Sequence, residues 1–284
     1  MPRRSVLYMP GANARALEKA KTIPADALIL DLEDAVSPDA KDDARERVCA
    51  AAASDDYGRR EVTIRVNAIG TPWHGDDLRA VAAAGPAAVV VPKVGSADDV
   101  HVIEAALQAG GAPEHTTIWA MLETPRAILD APAICAASSR LAVLVLGTND
   151  LVKELRAEHV PGRGPLLAAL SMAVLAARSA GKDILDGVFN DVTDTDAFTV
   201  ECHQAKNFGF DGKTLIHPSQ VGPCNTVFAP TDDELAHARE VIAAFDAAQR
   251  EGRGVATVDG RMIENLHMEQ AQRVLAVAAA VGAL

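Results

Sequence analysis

The chain has 284 residues, 49% of them hydrophobic and 23% charged, with a formal net charge of −12. That is enough apolar material for one large barrel with an appendage or for two medium domains. The acidic balance excludes a general nucleic-acid binder, which would carry a basic stripe, and obliges any anionic ligand to find local positive charge.

Four cysteines, at 49, 135, 202 and 224, show no CxxC spacing, so buried free thiols in a reducing cytoplasm are expected. The apolar stretch at the start is too short for a signal peptide. No run of about 18 apolar residues is present to span a membrane.

Short runs rich in Val, Ile and Leu alternate with longer Ala-rich stretches. They predict strands at Ser5–Met9, Ala27–Leu32, Val62–Val66, Ala87–Pro92, Thr117–Leu122, Leu141–Leu146, Ile184–Val188 and Thr214–Ile216. Helices are expected at Ala12–Thr22, Asp39–Ala53, Asp76–Ala84, Ala97–Ala109, Pro125–Ala137, Pro165–Ala180 and Asp194–Phe208. Strands this continuously apolar belong to a parallel sheet covered on both faces. Eight such repeats fit a closed (β/α)8 TIM barrel better than an open doubly wound sheet. The missing Gly-x-Gly-x-x-Gly after the first strand argues against dinucleotide binding. After Pro218 the rhythm changes: helices are expected at Asp232–Arg250 and Ile263–Val281 with no strand between them. The expected division is a barrel over residues 1–222 and a C-terminal helical extension over 223–284.

In such a barrel the strand C-termini converge on one rim, where the chemistry sits. Pro10-Gly11 ends the first strand at a turn whose glycine lets backbone approach a ligand, and the helix N-terminus that follows favours phosphate. Arg15 and Lys19, spaced i, i+4, suit a phosphorylated ligand or an ordinary helix surface equally well. Asp31, Glu33 and Asp34 crowd the end of the second strand. Asp31 reads as half of a structural ion pair, and Glu33 and Asp34 as groups holding metal-bound waters or as a solvated loop. Arg65, inside an otherwise apolar strand, needs an anion. Its fork suits a substrate carboxylate or enolate, a permanent bridge to the Glu33 group, or both. Lys93 is a rim cation able to neutralise that cluster.

Glu123 and Asp150 close the fifth and sixth strands. Thr124-Pro125 reads as N-cap and first helical residue, which leaves Glu123 on the strand tip. Asp150 has an alternative reading as an N-cap. Together the two carboxylates make a hard-cation site suited to Mg2+. His217, ending the eighth strand, either touches ligand or satisfies its loop.

These residues together resemble the citrate lyase β-subunit family, within the larger aldolase and malyl-CoA lyase group. The matching segments run in family order: Arg4-Ser5, Pro10-Gly11 with Asn13, Asp31 to Asp34, Arg65 with Asn67, Pro92-Lys93, Glu123-Thr124, Asn149-Asp150, Asp211 to Lys213, and His217-Pro218. The resemblance implies a Mg2+-dependent carbon–carbon lyase that cleaves a citryl-like 3-hydroxyacyl thioester into a 2-oxo acid such as oxaloacetate and an acyl thioester. The thioester carrier would be CoA or acyl carrier protein. Malyl-, methylmalyl- or citramalyl-CoA lyase, thioesterase and a non-catalytic acyl-binding subunit remain alternatives. The family's metal ligands fall on Glu123 and Asp150, and its enolate or carboxylate arginine on Arg65. Relatives of the malyl-CoA lyase type place an acid–base aspartate on a lid from an adjacent subunit. Here Glu264 stands at that point, one methylene longer, with Asp259 nearby. A shared lid implies a homo-oligomer, with a trimer expected.

Overall fold

The computed structural model describes residues 2–282. The chain divides into two compact units, Arg3–Asn225 and the segment from Thr226 onward. The first is a closed barrel of eight parallel strands in sequential order. They are β1 (Ser5–Pro10), β2 (Ala27–Asp31), β3 (Glu61–Arg65), β4 (Ala88–Val91), β5 (Thr117–Leu122), β6 (Leu141–Leu146), β7 (Asp183–Asp186) and β8 (Gly212–Leu215). β8 closes onto β1, with Lys213 opposite Ser5 and Leu215 opposite Leu7. The expected TIM barrel is the fold.

Around it run α1 (Ala14–Ala20), α2 (Lys41–Ala52), α3 (His74–Ala84), α4 (Ala97–Ala109), α5 (Pro125–Leu129), α6 (Ala131–Ala136), α7 (Thr148–Leu155), α8 (Leu167–Ser179) and α9 (Thr195–Phe208). The single helix expected at Pro125–Ala137 is two. Pro132 sits in the first turn of α6, where its missing N–H and its constraint on the preceding residue break the run. α7 is not among the helices expected; the segment entered only through Asp150 as a possible N-cap, and the helix starts at Thr148.

Strand parity explains which side chains share the interior. Val6 and Tyr8, Ala27 and Ile29, Ala88 and Val90, Trp119 and Met121, Val143 and Val145, and Leu185 pack together inside the barrel. Side chains alternate along a strand with period two. The next inward positions are therefore Pro10, Asp31, Glu123 and Gly147, with Arg65 entering from β3, and all five line the mouth. At the opposite end Arg3 stacks 5.2 Å over the Trp119 ring and holds Glu61 at 2.6 and 2.8 Å.

α10 (Val221–Phe228) follows β8. In the second unit come α11 (Asp232–Arg250), β9 (Ala256–Val258), β10 (Arg261–Ile263) and α12 (Asn265–Val281). Two helices with no strand between them were expected here; the β9–β10 hairpin corrects that. Asp259 and Gly260 have φ values of 49° and 73°, the backbone that a tight two-residue hairpin requires and that Asp-Gly favours. Val241, Phe245, Val258 and Ile263 form the small core joining α11 to the hairpin, and Ala271 of α12 joins them. Among the described residues no helix is long and apolar enough to cross a membrane.

Candidate active site

A cavity of about 400 Å³ opens at the C-terminal ends of the strands. Its polar arc holds Asp31, Asp34, Arg65, Glu123, Thr148, Asn149 and Asp150, and its apolar arc Met121, Leu146, Val188 and Ile216, with Tyr8 and Pro10 between them. Six of the residues singled out from sequence meet here: Pro10, Asp31, Asp34, Arg65, Glu123 and Asp150.

Glu123 is 2% exposed. Thr124 Oγ1 accepts from Ala127 N at 3.1 Å and Pro125 opens α5, so the helix starts only after Glu123 and leaves it on the strand tip. Its Oε1 accepts from the Lys93 main-chain N–H at 2.7 Å. Its Oε2 lies against Gly147, where any Cβ would collide with the carboxyl group; only glycine fits beside it. Burial, then repulsion from Glu33 and Asp150, pushes the Glu123 carboxyl up to about 7. Asp150 is the third residue of α7, and its N-cap is Gly147; Asp150 does not cap the helix. Its carboxylate takes no hydrogen bond or ion pair among the described residues and is half-exposed at the cavity.

Arg65 is 8% exposed and fully engaged on one side. It donates from Nε and Nη2 to the two oxygens of Asp31 at 2.7 and 2.8 Å. Its Nη1 lies 2.9 Å from Glu33 Oε2 and 3.5 Å from Asp34, and its guanidinium sits 4.8 Å over the Tyr8 ring. Burial works against ionising Asp31, but Arg65 and the amides of Glu33 and Ala35 outweigh it and hold the carboxyl below its ordinary value. Asp31 is therefore the structural ion pair expected. Glu33 bonds Lys93 Nζ at 2.9 Å as well as Arg65; it is committed to cations on both oxygens. Asp34 is exposed and faces the cavity.

Other expectations land elsewhere. Gly11 does not line the cavity; its N–H donates to Asp31 O at 2.9 Å, and a Cβ there would strike that carbonyl and Val48. The close approach is to β2. Arg15 and Lys19 lie on the exposed face of α1, outside the cavity lining. His217 starts a short 3-10 turn and its Nδ1 accepts from Ser219 N–H at 3.2 Å, so it satisfies its loop. Lys213 turns outward, bonding Asp186 and Glu201 at 2.7 Å each, in a buried network with Arg163. In the second unit Glu264 is the half-buried N-cap of α12, and its N–H donates to His267 Nδ1 at 3.1 Å.

Sequence reasoning missed the start of α7. Leu151 N donates to Gly147 O at 3.0 Å, so the amides of Thr148, Asn149 and Asp150 precede the first intrahelical bond, and no side chain caps them. Thr148 Oγ1 is buried without a partner among the described residues. Uncapped amides and a positive helix end facing a cavity suit a carboxylate. The signal was available: Gly-Thr-Asn-Asp directly after a strand places a helix start at the mouth.

The donor set fits a hard divalent cation. Five carboxylates (Asp31, Glu33, Asp34, Glu123, Asp150) face two cations, Arg65 and Lys93. Glu123 and Asp150 offer oxygen ligands with room for waters and substrate, which is the Mg2+ preference.

Residues 4–218 match the HpcH/HpaI aldolase/citrate lyase family. The chain is 46% identical to a (3S)-malyl-CoA thioesterase of Cereibacter sphaeroides, over 99% of this chain and 96% of that protein. It is 40% identical to citrate lyase subunit beta of Escherichia coli, over 96% and 92% respectively. The crystal structure of CitE from Mycobacterium tuberculosis in complex with magnesium, acetoacetate and coenzyme A superposes with a TM-score of 0.80. It is 29% identical and covers 98% of both chains. On the profile and these full-length likenesses, the chain belongs to the HpcH/HpaI aldolase/citrate lyase family.

Proposed function

We propose that this protein is a Mg2+-dependent carbon–carbon lyase that cleaves a citryl-like 3-hydroxyacyl thioester, of CoA or acyl carrier protein, into a 2-oxo acid and a shorter acyl thioester. The observation that carries the proposal is the Glu123–Asp150 pair in a cavity short of positive charge. Magnesium in relatives' structures, beside acetoacetate and coenzyme A and beside oxaloacetate, supports it.

Glu123 and Asp150 would hold the cation, which supplies Lewis acidity and a template when bound. The free amides of α7 and the Thr148 hydroxyl would take the oxo acid's carboxylate. Arg65 carries five N–H donors; it gives two to Asp31 and pairs with Glu33 through Nη1. An N–H not spent on these acids would meet the oxygen that gains charge as the bond breaks. Cleavage removes the hydroxyl proton, breaks the carbon–carbon bond, and leaves an oxo acid and a thioester enolate. A proton must then reach the acyl carbon, and Glu264, within the extension assigned to 223–284, is our candidate donor. Met121, Leu146, Val188 and Ile216 keep water from the enolate. We further propose a cytoplasmic homo-oligomer, a trimer, to be read by light scattering.

One observation favours a second reading, hydrolysis of the thioester: the 46% identity to the malyl-CoA thioesterase. A panel of citryl-, malyl-, citramalyl- and methylmalyl-CoA with Mg2+, read by mass spectrometry, separates the two. Lyase activity yields a 2-oxo acid and a shorter acyl-CoA. Free CoA with an intact hydroxy acid would establish the hydrolase instead, and no turnover with any of the four would refute both readings for CoA thioesters.

A further inference from the structure

Lys93 is one of four described non-glycine residues with a left-handed backbone, at φ 55°. Such a conformation is costly for an L residue and persists only where its surroundings impose it. Two bonds impose it here. The main-chain N–H donates to Glu123 Oε1 at 2.7 Å, and Nζ donates to Glu33 Oε1 at 2.9 Å. Glu33 in turn grips Arg65 with its other oxygen at 2.9 Å. Glu123 is thus clamped from both sides, by the Lys93 amide on Oε1 and by Gly147 against Oε2.

We infer that Lys93 is a positioning residue: its ammonium, anchored on Glu33, holds its own backbone left-handed so that its amide fixes Glu123. The inference rests on the cation-binding reading of Glu123 given above. The side chain acts through the backbone and touches neither cation nor substrate. An outlier residue with a long charged side chain then has one task at each end, joining the Glu123 side of the mouth to the Arg65 side.

This yields an inverted expectation for mutants. In Lys93→Ala the Cβ still disfavours the left-handed backbone, and with the Glu33 anchor gone the amide bond to Glu123 is left to hold it alone. The amide then turns from Glu123, and Mg2+ affinity by isothermal titration falls about tenfold or more, as when a group orienting a ligand is lost. Lys93→Gly adopts φ 55° without penalty and keeps the amide, so affinity stays within about threefold of wild type. Lys93→Arg, which keeps the charge near Glu33, also rescues. Equal losses in the Ala and Gly variants would make the ammonium's charge the cause and overturn the inference, as would wild-type affinity in the Ala variant.

Crystal structures of the two variants without metal provide a second readout. Glu123 Oε1 should bond the residue-93 amide in Lys93→Gly and not in Lys93→Ala. If wild type bound no Mg2+ at all, the cation reading would fall. The metal-free structures would still decide the clamp, and an unmoved Glu123 in Lys93→Ala would overturn it.

Discussion

Glu123→Gln is expected to stabilise the metal-free protein at pH 8. The carboxyl is 2% exposed, has no cation in direct contact, and shares its surroundings with Glu33 and Asp150. It sits at about 7 in the fold against an ordinary value of 4.5. The fold therefore binds this proton more tightly than the unfolded chain does. Its contribution to stability is fully present below pH 4.5 and is lost as pH rises through about 7. At about 1.4 kcal/mol per pH unit, ionisation costs the native state about 3 kcal/mol at pH 8. Gln cannot ionise, has nearly the same shape, and keeps an acceptor for the Lys93 amide. Urea denaturation in EDTA at pH 8, 6 and 4.5 should show the Gln variant about 3 kcal/mol more stable at pH 8, with the gap closing toward pH 4.5. Mg2+ at about 100 times its Kd should return about 2.7 kcal/mol to wild type and nothing to the variant. A Gln variant no more stable than wild type at pH 8 would refute the electrostatics assigned to this site.

Asp150→Asn should remove most Mg2+ affinity with the circular dichroism unchanged; undiminished affinity by titration calorimetry would strike Asp150 from the ligand set. Arg65→Lys should fold and bind metal but lose about 10²–10³-fold in kcat, because an ammonium cannot hold both Asp31 oxygens and Glu33 and still present a donor. Wild-type turnover would remove Arg65 from the chemistry. Gly147→Ala places a methyl against the Glu123 carboxyl and should cost about 1–3 kcal/mol by urea denaturation along with Mg2+ affinity; retention of both would show that Glu123 has room to move. Lys213→Met leaves Asp186 with Arg163 alone in a fully buried setting and should cost about 3–5 kcal/mol with Mg2+ affinity intact. A loss under about 1 kcal/mol would mean the network is not structural.

The barrel was legible because buried parallel strands are apolar on both faces, and the Thr124-Pro125 helix start after the fifth strand put Glu123 on a strand tip at the mouth. β5 and β6 were bounded to the residue, since Thr117 and Leu141 follow clear breaks. What escaped has local causes. α7 begins with Thr-Asn-Asp, residues that favour turns as readily as helices, so its amides went unread and Asp150 was weighed as a cap. The β9–β10 hairpin strands are three residues each, too short for periodicity, and only Asp-Gly marked them. The partners of Arg65 were foreseen in kind, but that Asp31 takes it bidentately depends on the β2–β3 register, which pairs Asp31 with Arg65. Gly11 could not be assigned from sequence because a close approach names no partner. Lys93 offered no hint of its backbone, as nothing in Val-Pro-Lys-Val marks a left-handed residue.

The mouth is charged on one arc and bare on the other. β7 and β8 give it only Val188, Thr214 and Ile216, while β2, β3, β5 and the start of α7 supply its charge. Evolution can therefore rework the uncharged staves to admit a different acyl tail, or a water, and leave the ionic machinery untouched. Thioester-splitting and carbon-bond-splitting enzymes can then descend from one ancestor through a few exchanges among uncharged side chains on neighbouring loops.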